Sequence, residues 1–136
     1  MALPVYAEDA TLALALGGMR EGFTMRELAS AFLTLSDGGL FAPAKCIRRV
    51  TDESGKVLYE RAEEKRRVFS EETSYLLSDM LHTAATEGTA KKLRTLPYFV
   101  SAKTGTGGTE KGNTDAYAMG YTSEHTLGVW LGNSDN

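Results

Sequence analysis

The chain has 136 residues, with 15 Lys and Arg against 18 Asp and Glu, a net charge of −3, and a composition 42% hydrophobic and 24% charged. That length suits one domain with a real core and is too short to expect two, and the slight acidic balance gives no support for a nucleic-acid partner. No apolar run approaches the roughly 20 residues that span a bilayer, and Met1 leads into Leu3-Pro4-Val5-Tyr6 without the basic start of a secretory leader. The chain as given reads as soluble, which says nothing of a longer parent.

In chain order, Thr24-Met25-Arg26-Glu27 fits a capping box, in which a threonine hydroxyl and a glutamate carboxylate each satisfy the other's backbone amide. Met25, Leu28, Ala29, Phe32 and Leu35 then recur at helical spacing, and Asp37-Gly38-Gly39 ends the helix. Cys46, the single cysteine, cannot form an internal disulfide, and between Ala44 and Ile47 it reads as a packed thiol. Residues Ile47 to Thr51 and Val57 to Glu60 flank Asp52-Glu53-Ser54-Gly55, a turn sequence that predicts a β-hairpin. Lys65-Arg66-Arg67 follows Glu60, Glu63 and Glu64, a mixed run that reads as a solvated surface. Ser70 caps a second, longer helix whose stripe is Leu76, Leu77, Met80, Leu81, Ala84 and Ala85, stopped by Gly88.

The last third predicts a three-stranded antiparallel meander over about Tyr98 to Thr106, Asp115 to Tyr121 and Thr126 to Leu131. A Gly-rich loop from Gly107 to Asn113 joins its first two strands. Helices and strands segregate along the chain, which gives the class α+β.

Chemistry concentrates at Lys103-Thr104-Gly105-Thr106. A cation, two hydroxyls and an open backbone position on a strand can receive a carboxylate and a developing oxyanion. A strand lysine alone is more often a solvated edge residue, so the weight rests on its neighbours. Ideal alternation puts Lys103 and Gly105 on one face and the threonines on the other; a twisted edge strand could still present both sets to one cleft. Gly107 and Gly112 have phosphate-loop spacing, but Asn113-Thr114 follows where Lys and Ser/Thr are required, and that reading is rejected. No serine has a lysine three positions later, and nothing ties His82 or His125 to a serine. Asp115, at a strand start, reads as a turn or cap residue. The residues give no metal site and call for no cofactor.

The ordered series of segments carries more than the tetrapeptide. It runs Leu14-Ala15-Leu16-Gly17-Gly18, Thr24-x-x-Glu27-Leu28-Ala29-x-Ala31-Phe32, Asp37-Gly38-Gly39, Val50-x-Asp52-x-x-Gly55-x-Val57 and Tyr75-Leu76-Leu77-x-x-Met80-Leu81. Glu87-Gly88-Thr89, Ala102-Lys103-Thr104-Gly105-Thr106, Asp115-Ala116-Tyr117, Met119-Gly120-Tyr121-Thr122 and Gly128-Val129-Trp130-Leu131-Gly132-Asn133 complete it. This order resembles the later half of the transpeptidase domain of class A, bifunctional penicillin-binding proteins, and covers nearly the whole chain. Ala102 stands where that family commonly has glycine, and Tyr117-Ala118 where it often has a larger aromatic pair.

The resemblance implies a partial β-lactamase/transpeptidase-like fold over residues 1–136: the meander packed on helices, plus the small hairpin. It implies a serine D,D-transpeptidase whose partners are peptidoglycan stem peptides and β-lactam antibiotics. Lys103 would supply positive charge, Thr104 would bond the substrate carboxylate with Thr106 nearby, the Thr106 N–H would be one oxyanion donor, and Gly105 would keep the strand open. The family's nucleophilic serine and its Ser-x-Asn element are expected upstream of Met1, which makes the chain a truncated, inactive piece. Its exposed sheet edge would favour self-association. Its parent would be held at the extracytoplasmic face of the membrane by an N-terminal helix. Ser134-Asp135-Asn136 spells a β-lactamase motif, but it follows the last strand and is read as coincidence. A D,D-carboxypeptidase or β-lactamase relative, a β-lactam sensor and a plain interaction module stay open.

Overall fold

The computed structural model describes residue 3, residues 5–109 and residues 112–133, the side chain of residue 109 excepted. Two short 3-10 turns, Ala7–Asp9 and Leu12–Leu16, lead into helix α1, Met25–Ser36. The Thr24 capping box is formed: the Glu27 amide donates to Thr24 Oγ1 at 3.3 Å and the Thr24 amide to Glu27 Oε2 at 2.8 Å. Strands β1 (Leu40–Phe41), β2 (Arg49–Thr51), β3 (Val57–Glu60) and β4 (Arg66–Arg67) follow. Strands β2 and β3 make the expected hairpin, shorter at its first strand than the sequence suggested, and β1 pairs with β4. Cys46 is exposed, which corrects the reading of a packed thiol: residues 42–48 form no strand and its neighbours do not close over it. Arg66 and Arg67 are exposed as expected, with Lys65 Nζ 2.8 Å from Asp37 and Arg67 Nη2 3.2 Å from Glu71.

Helix α2, Glu71–Thr86, is capped by Ser70. Strands β5 (Ser101–Thr109), β6 (Gly112–Tyr121) and β7 (Thr126–Gly132) form an antiparallel sheet in the order β5-β6-β7. The meander is therefore present, with shifted bounds. Tyr98 to Val100 lie outside it, because the Val100 carbonyl is bonded by His82 Nδ1 at 2.8 Å and the Phe99 ring stacks on His82 at 3.9 Å. The glycines expected in a loop extend the ladder, with Gly108 opposite Asn113 and residue 109 opposite Gly112 beyond a bulge after Gly107. Ser134-Asp135-Asn136 lies outside the described residues.

Register partners share a face of the sheet. Ser101, Lys103, Gly105 and Gly107 thus stand beside Tyr121, Met119, Tyr117 and Asp115, and beside Thr126, Gly128, Trp130 and Gly132 of β7. The helices cover this face. Phe32 of α1 meets the Tyr121 ring edge-on at 6.2 Å, Ser101 Oγ donates to the Ser78 carbonyl at 2.7 Å, and Ser78 Oγ pairs with Tyr121 Oη at 2.8 Å. Ala102, on the other face, packs with Ala85, Ala90, Val100 and Leu93, so the segment after α2 wraps round the β5 edge.

The α2 stripe needs a correction. Leu77, Leu81 and Ala84 are half-buried and Ala85 is buried, but Leu76 and Met80 are exposed. The face pressed inward is Ser74, Ser78 and Ala85: Ser78 bonds Ser101 and Tyr121, Ala85 packs with Ala102, and Ser74 is buried beside Gly39 with its hydroxyl unpaired among the described residues. One residue controls how α2 begins. Gly39 has φ +91, and a Cβ there would run into the Phe69 carbonyl oxygen. Gly39→Ala is expected to destabilise the fold by about 2–3 kcal/mol, read as a lowered midpoint in thermal unfolding.

Candidate functional site

Strand β5 lies at one edge of the sheet, and its residues 103–107 line a groove of about 400 Å³. The opposite wall is the chain before α1, including Leu16, Met19 and Phe23, and Tyr117 and Met119 form the floor beside the strand. Lys103 is exposed, and its Nζ lies 2.6 Å from the Thr104 carbonyl oxygen, folded back along the strand. Gly105 stands opposite Tyr117, where an added Cβ would come only to 3.6 Å from the Tyr117 Cβ, an ordinary contact. The glycine is thus not required by the sheet. What it leaves is an uncovered stretch of backbone at the centre of the strand.

Lys103 and Gly105 share the face that the helices and the groove occupy, while Thr104 and Thr106 fall on the other, as strict alternation requires. Thr104 is half-buried and its Oγ1 lies 2.6 Å from Thr89 Oγ1; Thr106 is exposed. The four residues are therefore gathered along one short edge strand; all four line the groove, while the threonine side chains fall on the opposite face of the strand. Thr89 is the residue that sequence reading passed over. Within Glu87-Gly88-Thr89, a Gly-Thr step after a helix gives no sign of which strand it will touch.

Asp115 is also corrected. It is a strand residue opposite Gly107 and Gly132, and Trp130 Nε1 donates to its Oδ1 at 2.7 Å while Thr114 Oγ1 donates to its Oδ2 at 2.7 Å. Its carboxylate fixes the indole over the end of the sheet. His82 is tied to Val100 and His125 sits at the β6–β7 turn, where its amide donates to Thr122 Oγ1. Among the described residues no cluster of His, Cys, Asp and Glu could hold a metal ion.

The groove wall depends on a carboxylate that the sequence did not announce. Asp9 is buried, with Oδ2 accepting from the Tyr6 amide at 3.0 Å and Oδ1 from the Arg20 amide at 2.9 Å. Those bonds, the Tyr6 amide first, hold its carboxyl below the ordinary 3.8. A lowered carboxylate stabilises the fold fully above its ordinary value, and that contribution is lost as pH falls through the folded value. Protection of the Tyr6 and Arg20 amides, taken relative to their intrinsic exchange rates, should therefore fall on acidification below the usual carboxylate range. Asp9→Asn should show the lower protection already at neutral pH and remove the acid dependence of that protection.

Residues 3–132 match the family described as penicillin binding protein transpeptidase domain. Penicillin-binding protein 4 of Bacillus subtilis is 33% identical over 124 residues, covering 91% of this chain and 19% of that protein. Penicillin-binding protein 1F of the same organism is 36% identical over 127 residues, covering 91% and 18%. The chain thus spans about a fifth of the length of these curated relatives. Among solved structures, the penicillin-binding protein PonA1 of Mycobacterium tuberculosis superposes with a TM-score of 0.69 at 24% identity, over 79% of this chain and 29% of that one. The same protein in complex with penicillin V gives 0.62 at 25% identity, over 78% and 28%.

Proposed function

This chain belongs to the penicillin-binding protein transpeptidase domain family, and from that premise we propose that residues 1–136 are the Lys-Thr-Gly-bearing part of a peptidoglycan D,D-transpeptidase domain. The observation that carries the reading is the placement of Lys103-Thr104-Gly105-Thr106 along an open sheet edge beside a groove. In the reaction, a serine Oγ attacks the carbonyl carbon of the penultimate D-alanine and the peptide C–N bond breaks. The terminal D-alanine leaves with a proton, and an amine of a neighbouring stem peptide then displaces the serine to form the cross-link.

Residues of this chain hold the substrate and its charge. Lys103 supplies a cation at the groove, Thr104 donates to the substrate carboxylate, and Thr106 lies beside it. The Thr106 N–H meets the developing oxyanion together with the serine's own N–H; one such donor is worth about 10²–10³ in rate. Gly105 lets the acyl carbonyl approach the backbone. No serine of these residues has the partner lysine, so the nucleophile comes from outside them, and the chain alone does not acylate.

The relatives' length supports this, as does the sheet's second face, where Leu127 and Leu131 are 68% and 69% exposed. In the complete domain that face and the outer edges would be covered; residues 1–136 alone would self-associate. A β-lactam, which carries a strained amide and a carboxylate, would occupy the same groove. Nothing here calls for a cofactor. The parent would work at the extracytoplasmic face of the membrane; no helix among the described residues is long and apolar enough to cross one.

The test is intact-mass analysis after benzylpenicillin, on residues 1–136 and on a chain extended upstream to the length of the family domain. One adduct on the extended protein alone is expected. No adduct on either form rejects the proposal. In the extended protein Lys103→Ala should slow acylation by about tenfold to a hundredfold. Gly105→Ala should also slow it while leaving the thermal midpoint unchanged, since its Cβ meets nothing closer than 3.6 Å.

A further inference from the structure

The Thr89–Thr104 contact assigns a residue to the site that the motif does not contain. Resting on the reading above, we propose that Thr89 is a positioning residue that orients the Thr104 hydroxyl as a donor to the substrate or β-lactam carboxylate. Their oxygens lie 2.6 Å apart, and either can donate. A hydroxyl has one proton and two lone pairs. When Thr104 donates to Thr89, it has no proton left for an anion. When Thr89 donates to Thr104, the Thr104 proton is free to point outward. A carboxylate at Thr104 selects this second arrangement, and the two bonds polarise each other in series.

Thr89 is held firmly enough to act this way. The Glu87 amide bonds the Thr83 carbonyl at 2.8 Å and the Ala90 amide bonds the Ala84 carbonyl at 3.2 Å, so both neighbours of the Gly88–Thr89 step are pinned to the end of α2. A Cβ at Gly88 would stand 2.8 Å from the Ala84 carbonyl oxygen, so the turn closes this tightly only with glycine. Ala90 is buried against Ala85, Val100 and Ala102, which fixes the Thr89 backbone against the start of β5. Thr104 is held from below by its ladder partner Ala118. The pair thus joins two anchored segments through a single hydroxyl contact beside the edge strand, and Thr89 itself stays accessible.

The experiment compares wild type, Thr89→Val and Thr89→Ser in the upstream-extended protein, using benzylpenicillin and its methyl ester, which lacks the carboxylate. Thr89→Val is expected to slow acylation by benzylpenicillin about threefold to tenfold, the range of one hydrogen bond. The methyl ester rate should stay within about twofold, and Thr89→Ser should restore the benzylpenicillin rate. Equal losses with both compounds would mean a structural role and overturn the proposal, as would no loss with either. Three-bond couplings of the Thr104 side chain give a readout free of acylation. One χ1 rotamer in wild type and Thr89→Ser, with averaging in Thr89→Val, is expected. Averaging in wild type overturns the proposal even when the protein reacts, and a wild type that does not react while Thr104 is locked by Thr89 overturns the transpeptidase reading instead.

Discussion

A serine hydroxyl with no solvent exposure fixes where the site strand lies. Ser101 opens β5, is 0% exposed, and donates to the Ser78 carbonyl of α2 at 2.7 Å, while the Ser78 hydroxyl pairs with Tyr121 across the sheet. A buried hydroxyl left without a partner costs about 1–3 kcal/mol, and sliding β5 by one residue would exchange its two faces. The short polar chain Ser101–Ser78–Tyr121 therefore sets the register that puts Lys103 and Gly105 on the groove side and Thr104 toward Thr89. Alanine packing at Ala85, Ala90 and Ala102 then holds that register from the other side.

What the sequence made legible followed from local rules. The capping box at Thr24, the cap at Ser70 and the turn around Asp52 are each set by residues within four positions, and each forms as read. The three-stranded meander was also readable from its alternation, as was the gathering of four residues on one edge. The errors came from contacts distant in sequence. Apolar periodicity put Leu76 and Met80 inward, but the close approach of α2 to the sheet favours Ser78 and Ala85. Asp115 looked like a turn residue because its partner, Trp130, is fifteen positions away. Tyr98 to Val100 had strand composition, yet His82 takes the Val100 carbonyl and stacks on the Phe99 ring.

The site was legible as a motif and illegible as an arrangement. Lys103 through Thr106 could be named from sequence, whereas the wall facing them could not, because Leu16, Met19 and Phe23 belong to an irregular segment with no period. That segment is tied down by the Asp9 carboxylate as well as by the half-buried Met19 and Phe23, while Leu12 and Leu16 stay exposed. The groove thus combines one rigid side, a hydrogen-bonded ladder, with one side held by a few polar bonds. Such a division lets the charge-binding strand keep its geometry while the facing wall adapts to the bulk of what enters.

Trp130 is the only tryptophan in the chain, and its indole is held by the carboxylate of Asp115, directly across from the end of the lysine-bearing strand. The molecule therefore contains its own optical probe. Excitation of a single fluorophore reports the junction of all three strands without any label, and the negative charge beside the indole makes the emission sensitive to the separation of β6 from β7. Loss of sheet order can be followed through that indole alone, excited at the red edge where the six tyrosines do not absorb.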